Sequence, residues 1–386
     1  MPTSAPLPVR ILHTADLQLG MPFRWAEGDA GATLREARLE VLSRIGDLAR
    51  EERVDVVVVA GDFFDANTVD ERTVASACAR IRAANVPFVV LPGNHDFCAG
   101  PDSIYRRPDF VRAKPENLIL LNEREPCVLL EGRLVVLPAP LMKRHSVEDP
   151  TAHITAGFGA DVAPNAVRLG LAHGDVVGFT RDVDGRARNH IAAQRATLGN
   201  LDYLALGDWH GLKQIDERTW YSGAPEPTGF KENDPGHVLI VTFSTPGGSP
   251  HVEPRQVAKT SFMSLRWELN TDEDVASLEA AIAAIVRPRD TVLKLELVGQ
   301  LGVAERERVE KLLQRVAGET LHIRAKCEEL GESFTIEELV DQVPIGFPKV
   351  VATRLFDDVR RGGEEGRRAS LALKILRRTA AQVGGV

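Results

Sequence analysis

The sequence predicts an α/β fold, followed by a small α/β domain and a helical C-terminal tail. Short apolar runs alternate with amphipathic stretches through the first two-thirds of the chain, as strands alternate with crossover helices. Five of the apolar runs stop at a cluster of polar and glycine residues. Ligands of open α/β sheets collect at the carboxyl ends of the strands, so these clusters are where chemistry is expected.

Each strand of the first domain is predicted from a short apolar run, and two helices are predicted between the first three strands. Residues 34–50 carry apolar side chains at helical spacing, and residues 68–71 (TVDE) have the form of a capping box that opens a second helix. The five strands and the polar residues that follow them are 9–12 with Asp16 and Gln18, 54–60 with Asp62 and Asp65, 88–91 with Asn94, His95 and Asp96, 167–172 with His173 and Asp175, and 203–206 with Asp208 and His210.

The last third of the chain predicts a different organisation. Strands at 237–243 and 264–269 flank a turn, and alternating helices and strands between 274 and 325 then indicate a small α/β domain. Two helical pieces form a tail with nine basic and four acidic side chains, a net charge of +5. The predicted domains are residues 1–258, 259–343 and 344–386.

Length and composition limit the class of protein. The chain has 386 residues, more than one hydrophobic core usually organises, so about two or three domains are expected. Its 44% hydrophobic and 26% charged residues exclude whole-chain disorder and a fibrous repeat. The formal net charge of −8 excludes a globally basic nucleic-acid binder, so any contact with phosphate must be local.

The cysteines and the N-terminus predict the compartment. Cys78, Cys98, Cys127 and Cys327 are widely spaced without a C-x-x-C pair, which argues against a disulfide framework or a zinc ribbon and favours a reducing compartment. The first ten residues lack the basic and apolar regions of a signal peptide, and no apolar run approaches the roughly 18 residues of a membrane span. We therefore predict a cytoplasmic protein without a membrane segment.

The five polar clusters together supply carboxylate, amide and imidazole groups, which are ligands for divalent cations. Two cations about 3.5–4 Å apart can hold a phosphoryl oxygen and a nucleophile together when one carboxylate bridges them and other oxygen and nitrogen donors surround each ion. An aspartate or asparagine at one strand end is usually only a turn former. Five such clusters in succession predict a metal site, and the glycines beside them permit close approach of a substrate.

The ordered motifs ILHTADLQLG, VVVVAGDFFD, VVLPGNHDF, LAHGD and YLALGDWHG resemble those of the calcineurin-like metallophosphoesterases over about residues 9 to 230. The following WYSGAPEPTGF is similar to the SbcD-type DNA nucleases of that family. The resemblance implies that the first domain is a calcineurin-like metallophosphoesterase sandwich of mixed sheets flanked by helices. It also implies hydrolysis of phosphodiesters at two divalent metal ions. The implied ligands are Asp16 and His210 at the first metal, Asn94 and His173 at the second, and Asp62 between them.

Two residues beside the metal ligands have further implied roles. By the same resemblance, His95 is the catalytic residue that neutralises developing charge or protonates the leaving oxygen. Asp65 in the second motif is expected to orient a catalytic histidine. His13 lies within an apolar strand, where a packed histidine is the simpler interpretation than a metal ligand.

The sequence departs from the family pattern at Gln18 and Asp208, where members of the family normally carry histidine. If both residues coordinate, each ion keeps only one nitrogen donor. Oxygen-rich ligand sets suit manganese or magnesium better than zinc or copper, so we predict a manganese-dependent enzyme, with magnesium as the substitute. The first site is expected to be the weaker one because Gln18 carries no charge.

The resemblance implies a DNA nuclease, exonuclease or endonuclease, that processes DNA ends in repair. It further implies that residues 259–343 form a capping domain, that the basic tail docks on an SMC-like (SbcC-type) ATPase, and that the chain forms a homodimer. Two alternatives remain open. One is a metallophosphoesterase acting on small nucleotides or phosphomonoesters, and the other is a catalytically weakened DNA-binding or ATPase-scaffolding protein that has lost a metal through Gln18.

Overall fold

In the computed structural model the described residues are 8–26, 28–178, 189–332, 340, 343 and 345–383. The chain divides into two compact units, Met1–Phe262 and Met263–Val386. The first unit ends four residues after position 258, so residues 259–262 of the predicted cap belong to it, and the second unit takes in the rest of that range and the predicted tail. The side chains of Lys374, Arg377 and Arg378, which contribute to the predicted tail charge, lie outside the described residues.

The first unit contains fourteen of the described strands and four of the described α-helices. The strands are β1 (Val9–Thr14), β2 (Val56–Ala60), β3 (Phe88–Leu91), β4 (Leu118–Leu120), β5 (Cys127–Leu129), β6 (Leu134–Ala139), β7 (Val167–His173), β8 (Asp175–Val176), β9 (His190–Ile191), β10 (Tyr203–Gly207), β11 (Lys213–Gln214), β12 (Thr219–Tyr221), β13 (His237–Phe243) and β14 (His251–Gln256). The helices are α1 (Asp29–Glu51), α2 (Glu71–Ala84), α3 (Pro108–Ala113) and α4 (Arg195–Leu198).

Two six-stranded sheets build this unit, which confirms the predicted sandwich of mixed sheets flanked by helices. The first has the order β14-β13-β1-β2-β3-β4, in which β1 to β4 are parallel and β13 and β14 are antiparallel additions. The second has the order β11-β12-β10-β7-β6-β5, with a parallel centre from β12 to β6 and antiparallel edges. In the described part of this unit, each sheet thus has parallel strands, which the predicted polar clusters follow, and antiparallel strands at an edge.

The alternation of side chains along β2 explains why this strand is apolar throughout. Val57 and Val59 face the layer formed with α1 and α2, whereas Val56 and Val58 face the core between the two sheets. Side chains of a strand point alternately to opposite faces, so a strand covered on both faces must be apolar at every position. All five residues of β2 are buried.

The start of α2 differs from the prediction. Asp70 is the N-cap, and its carboxylate accepts a hydrogen bond from the backbone N–H of Thr73 at 2.9 Å. The predicted capping box over residues 68–71 is therefore wrong, because the aspartate two residues later caps the helix in place of Thr68. β14 was not predicted at all, since this edge strand has exposed and half-buried positions and a central Pro254.

The second unit combines a three-stranded sheet with four described α-helices. The sheet has the order β15 (Ser261–Leu269), β16 (Thr291–Leu301), β17 (His322–Glu332), and β15 begins at the last residues of the first unit. The helices are α5 (Asp272–Ala283), α6 (Val303–Glu319), α7 (Phe347–Arg361) and α8 (Gly363–Val383). Leu278 of α5 and Leu312 of α6 pack in one core with Leu295 of β16. No helix within the described parts of the chain has both the length and the apolar character needed to cross a bilayer.

Candidate metal centre

The carboxyl ends of strands from both sheets meet where the sequence predicted the metal ligands. Asp16 follows β1 and Asp62 follows β2 in the first sheet, whereas His173 ends β7 in the second. Each of these three side chains offers a ligand atom, and the three atoms lie within 4.8 Å of one another. All three side chains are buried. The structure thus brings together residues separated by 157 positions in the chain, from 16 to 173.

Four of the predicted ligands occupy the left-handed region of backbone conformation. The φ angles are 54° for Asp16, 43° for Gln18, 52° for Asp62 and 98° for Asp208. Such conformations are costly for residues other than glycine and persist where the surrounding structure fixes them, most often at functional sites. Four backbone hydrogen bonds join the first two loops, among them those from Asp16 N–H to the Gly61 carbonyl oxygen at 3.1 Å and from Gln18 N–H to the Asp62 carbonyl oxygen at 2.9 Å.

The amide of Asn94 lies between the carboxylate of Asp62 and the imidazole of His173. In the orientation that satisfies its neighbours, the amide nitrogen is 3.2 and 3.1 Å from the two oxygens of Asp62 and 2.8 Å from Nε2 of His173. Asn94 belongs to the loop after β3, so three adjacent parallel strands of the first sheet contribute to one cluster. A carboxylate, an amide and an imidazole thus meet at one point.

His173 is held in one orientation by the main chain. Its Nδ1 donates to the carbonyl oxygen of Ala60 at 2.8 Å, which leaves Nε2 facing Asp62 Oδ1 at 3.5 Å and Asp208 Oδ1 at 3.6 Å. Burial alone would lower the pKa of His173, but the carboxylates of Asp62, Asp16 and Asp208 raise it to about 9. The ring is therefore embedded in negative charge, which is the electrostatic environment of a cation site.

The carboxylate of Asp16 contacts the backbone N–H of Asp208. The backbone N–H of Asp208 lies 3.1 Å from both carboxylate oxygens of Asp16. Burial raises the pKa of Asp16 to about 6, against the lowering effect of His210 and His173. The Asp208 side chain is 36% exposed and stands at the open side of the cluster.

Three glycines allow these loops to approach one another. A Cβ atom at Gly61 would lie 2.1 Å from Nδ1 of His173, and one at Gly93 would lie 2.2 Å from Oδ1 of Asp62. A Cβ atom at Gly207 would lie 2.0 Å from the carbonyl oxygen of Ala60. Any side chain at these positions would displace a predicted ligand or the carbonyl that orients it, so glycine is required there.

His210 is oriented by a carboxylate from a later loop. Its Nδ1 lies 2.8 Å from Oε1 of Glu232 and 2.9 Å from Oγ1 of Thr228, and its Nε2 lies 3.4 Å from the amide nitrogen of Gln18. Both the backbone N–H and the hydroxyl of Thr228 also donate to Glu232. Burial alone would lower the pKa of His210, but the hydrogen bond to Glu232 and the charge of Asp16 raise it. Gln18 and His210 are thus brought together as predicted partners.

His95 lies beside the cluster with part of its ring open to solvent. Its backbone N–H donates to Asp62 Oδ1 at 2.9 Å, and its side chain is 28% exposed. Nδ1 donates to the main-chain carbonyl oxygen of Asp65 at 2.7 Å, whereas the carboxylate Oδ1 of Asp65 is 3.9 Å from the same nitrogen. Asp65 is therefore placed next to a histidine, but the close contact comes from its backbone. Nε2 of His95 lies 4.0 Å from Asp62 Oδ2.

Two carboxylates that support the site were missed or given no role from sequence. Glu232 lies 22 residues beyond His210 in a loop without a motif, so only the three-dimensional contact reveals it. Asp96 accepts hydrogen bonds from Gly93 N–H at 2.7 Å, Phe64 N–H at 3.0 Å and the hydroxyl of Tyr105 at 2.5 Å. It joins the loops after β2 and β3. Its position directly after Asn94 and His95 was the available signal.

His13 is not at the metal centre. Its ring is fully buried between Tyr203, whose hydroxyl is 3.1 Å from Nδ1, and the carbonyl oxygen of Leu206, which is 3.1 Å from Nε2. Burial lowers the pKa of His13 to about 3, so the ring is neutral. It is the packed histidine that its apolar strand predicts.

The residues present fit divalent cations. Asp16 and Asp62 are at most 2% exposed and share the site with Asp208, an arrangement that is unfavourable without a compensating positive charge. The predicted donors are mainly oxygen atoms, with one imidazole Nε2 from His173 and one from His210. Such sets suit hard cations with oxygen preference.

Comparisons with known proteins find similarity to phosphoesterases and nucleases. Residues 9–155 match the family model for calcineurin-like phosphoesterases. The chain is 25% identical over 274 residues to the SbcD component of the SbcCD nuclease of Bacillus subtilis (strain 168), covering 62% of this chain and 67% of that protein. Identity to the protein of the same name from Escherichia coli (strain K12) is 24% over 400 residues, covering 86% and 94% respectively.

A repair protein and a solved phosphatase structure are also similar to this chain. The chain is 33% identical over 290 residues to "DNA double-strand break repair protein Mre11" of Methanosarcina mazei, covering 69% of this chain but only 41% of that protein. A purple acid phosphatase from yellow lupin is 18% identical over 65% of this chain and 52% of that chain, with a TM-score of 0.41.

Proposed function

The chain is a calcineurin-like metallophosphoesterase of the SbcD type, and we propose that it is a DNA nuclease that uses two divalent ions to hydrolyse phosphodiester bonds at DNA ends. The observation that carries the proposal is the convergence of Asp16, Asp62 and His173 within 4.8 Å at the ends of strands from both sheets. The named relatives are components of nucleases and a double-strand break repair protein, which supports DNA as the substrate.

Each of the two ions has a proposed set of ligands. The first would be held by Asp16, Gln18, Asp62 and His210, and the second by Asp62, Asn94, His173 and Asp208. When bound, the ions supply Lewis acidity and lower the pKa of water. The oxygen-rich sets support manganese, with magnesium as the alternative.

His95 is the proposed proton donor to the leaving oxygen. The Asp65 carbonyl accepts a hydrogen bond from Nδ1 and so fixes the tautomer in which Nδ1 carries a proton, and Nε2 lies on the side of Asp62, 4.0 Å from its Oδ2. A second proton at Nε2 makes the ring a cation that can neutralise developing charge and then protonate the leaving group. The backbone N–H of His95 at Asp62 keeps the ring close to the metal ligands.

The C-terminal helices are proposed to dock on an SMC-like, SbcC-type ATPase. α7 and α8 pack against each other through residues that include Ala352 and Leu373, yet other apolar side chains of this tail face solvent. Phe347 is 81% exposed, Val350 56% and Leu371 61%. Coexpression with an ATPase of this type followed by co-purification tests the contact, and Phe347→Glu should abolish it while the metal centre keeps its activity.

Location and oligomeric state complete the proposal. The four free thiols support a reducing cytoplasmic location. A homodimer follows from the resemblance, and light scattering of the purified chain tests it. A mass of one chain, 42.2 kDa, at micromolar concentration would refute the dimer.

The nuclease function is tested with purified protein and Mn²⁺ on linear duplex, circular and single-stranded DNA, with bis(p-nitrophenyl) phosphate as a small substrate. Asp62→Ala and His95→Ala should lose cleavage of both DNA and the small ester. Asp102→Ala, an exposed carboxylate in the turn after the Asn94 loop, is the matched control. If the protein cleaves the small ester but not DNA, even with the ATPase present, a small-substrate enzyme would be favoured. No cleavage of either would favour a scaffold.

A further inference from the structure

Three aromatic side chains from separate segments form a cluster in the first unit. Trp25 lies between β1 and α1, Phe230 lies between β12 and β13, and Phe262 lies at the start of β15. The ring centroids are 6.5 Å apart for Trp25 and Phe230, 5.9 Å for Trp25 and Phe262, and 5.2 Å for Phe230 and Phe262. All three residues are half-buried, so each keeps part of its surface open to solvent. We call these three residues the aromatic cluster.

The aromatic cluster adjoins the metal centre through two segments. Phe230 lies midway between Thr228 and Glu232, which both contact Nδ1 of His210. On the other side, Trp25 packs on Phe23 at 6.0 Å between ring centroids, in the loop that continues from Asp16 and Gln18. In the chain, Phe230 and Trp25 therefore each lie a short distance from a predicted metal ligand or from a residue that contacts one.

Arg38 contacts both of these segments through its guanidinium group. Its guanidinium donates to the carbonyl oxygen of Leu17 at 2.5 Å and to that of Pro227 at 3.1 Å, and it lies 5.6 Å from the centre of the Phe23 ring. Arg38 is 2% exposed. The loops that carry Trp25 and Phe230 are thus fixed relative to each other and to the metal centre.

Each segment of the aromatic cluster also carries a basic side chain at the surface. Arg24 precedes Trp25, Lys231 follows Phe230, and Lys259 lies three residues before Phe262. Arg24 and Lys231 are exposed, and Lys259 is 49% exposed. The segment with Lys259 is anchored by Glu226, which accepts the N–H of Lys259 at 2.8 Å and the hydroxyl of Thr260 at 2.6 Å. Aromatic rings in segments that also carry surface cations are a pattern of single-strand nucleic-acid binding.

We propose that the aromatic cluster stacks unpaired bases of a DNA end and so delivers the adjoining phosphodiester to the metal centre. The proposal rests on the nuclease function above and adds a preference for unpaired nucleotides. In a duplex the faces of the bases are covered by their neighbours, whereas frayed or single-stranded bases can stack on exposed rings. The phosphates between such bases would face Arg24, Lys231 and Lys259, whose charge is complementary.

The test compares the binding of labelled dT20 and of a blunt 30-base-pair duplex by fluorescence anisotropy, in a buffer with EDTA that prevents cleavage. Trp25→Leu and Phe230→Leu remove a ring face but keep an apolar side chain. Each should weaken dT20 binding about tenfold, since one base stacked on an aromatic ring contributes an effect of that order, and should leave duplex binding within about twofold. Trp25→Phe retains a ring and should restore most of the affinity for dT20.

Phe158→Leu is the matched control, because Phe158 is also half-buried and packs edge-on against another ring outside the aromatic cluster. Its ring centroid is 5.1 Å from that of His153. It should bind dT20 as the parent does. Hydrolysis of bis(p-nitrophenyl) phosphate with Mn²⁺ by each variant verifies that the metal centre is intact, and it should stay within about twofold of the parent.

Unchanged dT20 binding in both Leu variants, or equal losses on dT20 and duplex, would overturn the proposal. These results are distinguishable from failure of the nuclease function itself. If the parent chain hydrolyses neither the ester nor DNA, the nuclease function fails. If the parent cleaves DNA but the variants bind dT20 normally, only the stacking site is refuted.

Discussion

The imidazole of His210 donates its Nδ1 proton to the carboxylate of Glu232 at 2.8 Å, which directs Nε2 toward Gln18 at 3.4 Å. Carboxylates that accept the second ring proton of a metal-binding histidine fix its tautomer and raise its basicity. Glu232 is 8% exposed and also accepts the backbone N–H of Thr228 at 2.9 Å, so it has little freedom to move. This pair therefore governs the first of the two proposed metal sites.

Replacing Glu232 is expected to weaken the first site selectively. Glu232→Gln should lower the affinity for one of two Mn²⁺ ions by about 10–100-fold, the usual effect of losing such a partner, and leave the other ion unchanged. Isothermal titration calorimetry measures both sites. Asp234→Asn, which changes an exposed carboxylate two residues away, is the control. Equal weakening of both sites would mean that Glu232 acts through the fold and not through His210.

The contact between His95 and Asp65 predicts unequal effects of two substitutions. His95→Ala should lower the turnover of bis(p-nitrophenyl) phosphate by about 10²–10⁴-fold, as expected for loss of an acid catalyst. Asp65→Ala should reduce it by less than about tenfold, because the main-chain carbonyl at 2.7 Å, and not the carboxylate at 3.9 Å, holds the ring. Steady-state kinetics at saturating Mn²⁺ separates them. Equal losses would assign the orienting role to the Asp65 carboxylate.

Gly61 and Gly132 form a matched pair for testing the close approach of loops. Their φ angles are 90° and 88°, so alanine strains the backbone similarly at both positions. A Cβ atom at Gly61 meets His173 Nδ1 at 2.1 Å, whereas one at Gly132 meets nothing within 4 Å. Gly132→Ala should lower the free energy of unfolding by about 1–2 kcal/mol. Gly61→Ala should cost more and abolish Mn²⁺ binding at the site of His173. Similar behaviour of the two variants in urea unfolding and calorimetry would contradict this.

Arg38 is expected to be a major source of stability beneath the metal centre. Its guanidinium serves the carbonyl oxygens of Leu17, Glu226 and Pro227, and Arg38→Met would leave all three without this donor. An unsatisfied buried acceptor costs about 1–3 kcal/mol, so the free energy of unfolding should fall by about 3 kcal/mol or more. Arg35→Met on the same helix removes one exposed contact to Pro22 and should cost under about 1 kcal/mol. Chemical denaturation measures the free energy of unfolding of both variants. Equal losses would contradict the stabilising role of Arg38.

The sequence predicted the strand ends well because the signal is local. A continuous apolar run such as β2 followed by Gly61 and Asp62 is readable without tertiary information, and parallel strands necessarily bring their carboxyl ends to one edge. The placement of Asp16, Asp62 and His173 at strand ends follows from this pattern, their assignment as ligands follows from the family resemblance, and the structure brings the three together. The second sheet contributes His173, which ends β7.

The remaining contacts depend on long-range geometry that a sequence does not reveal. Glu232 contacts His210 across 22 residues that include β11 and β12, and Arg38 contacts Pro227 across 189 residues. The role given to Asp65 rested on its carboxylate, whereas the folded loop presents its carbonyl oxygen to His95. In each case a loop conformation decides which atom faces the site, and loops without periodicity carry no such signal.

The most direct test of the account is a calorimetric titration of the metal-free chain with Mn²⁺, in parallel with Asp62→Ala. We predict two ions bound per chain in the parent and loss of at least one in the variant, because Asp62 is the carboxylate shared by both proposed sites. Binding of fewer than two ions by the parent, or identical stoichiometry and affinity in Asp62→Ala, would contradict the two-metal centre on which the proposed nuclease depends.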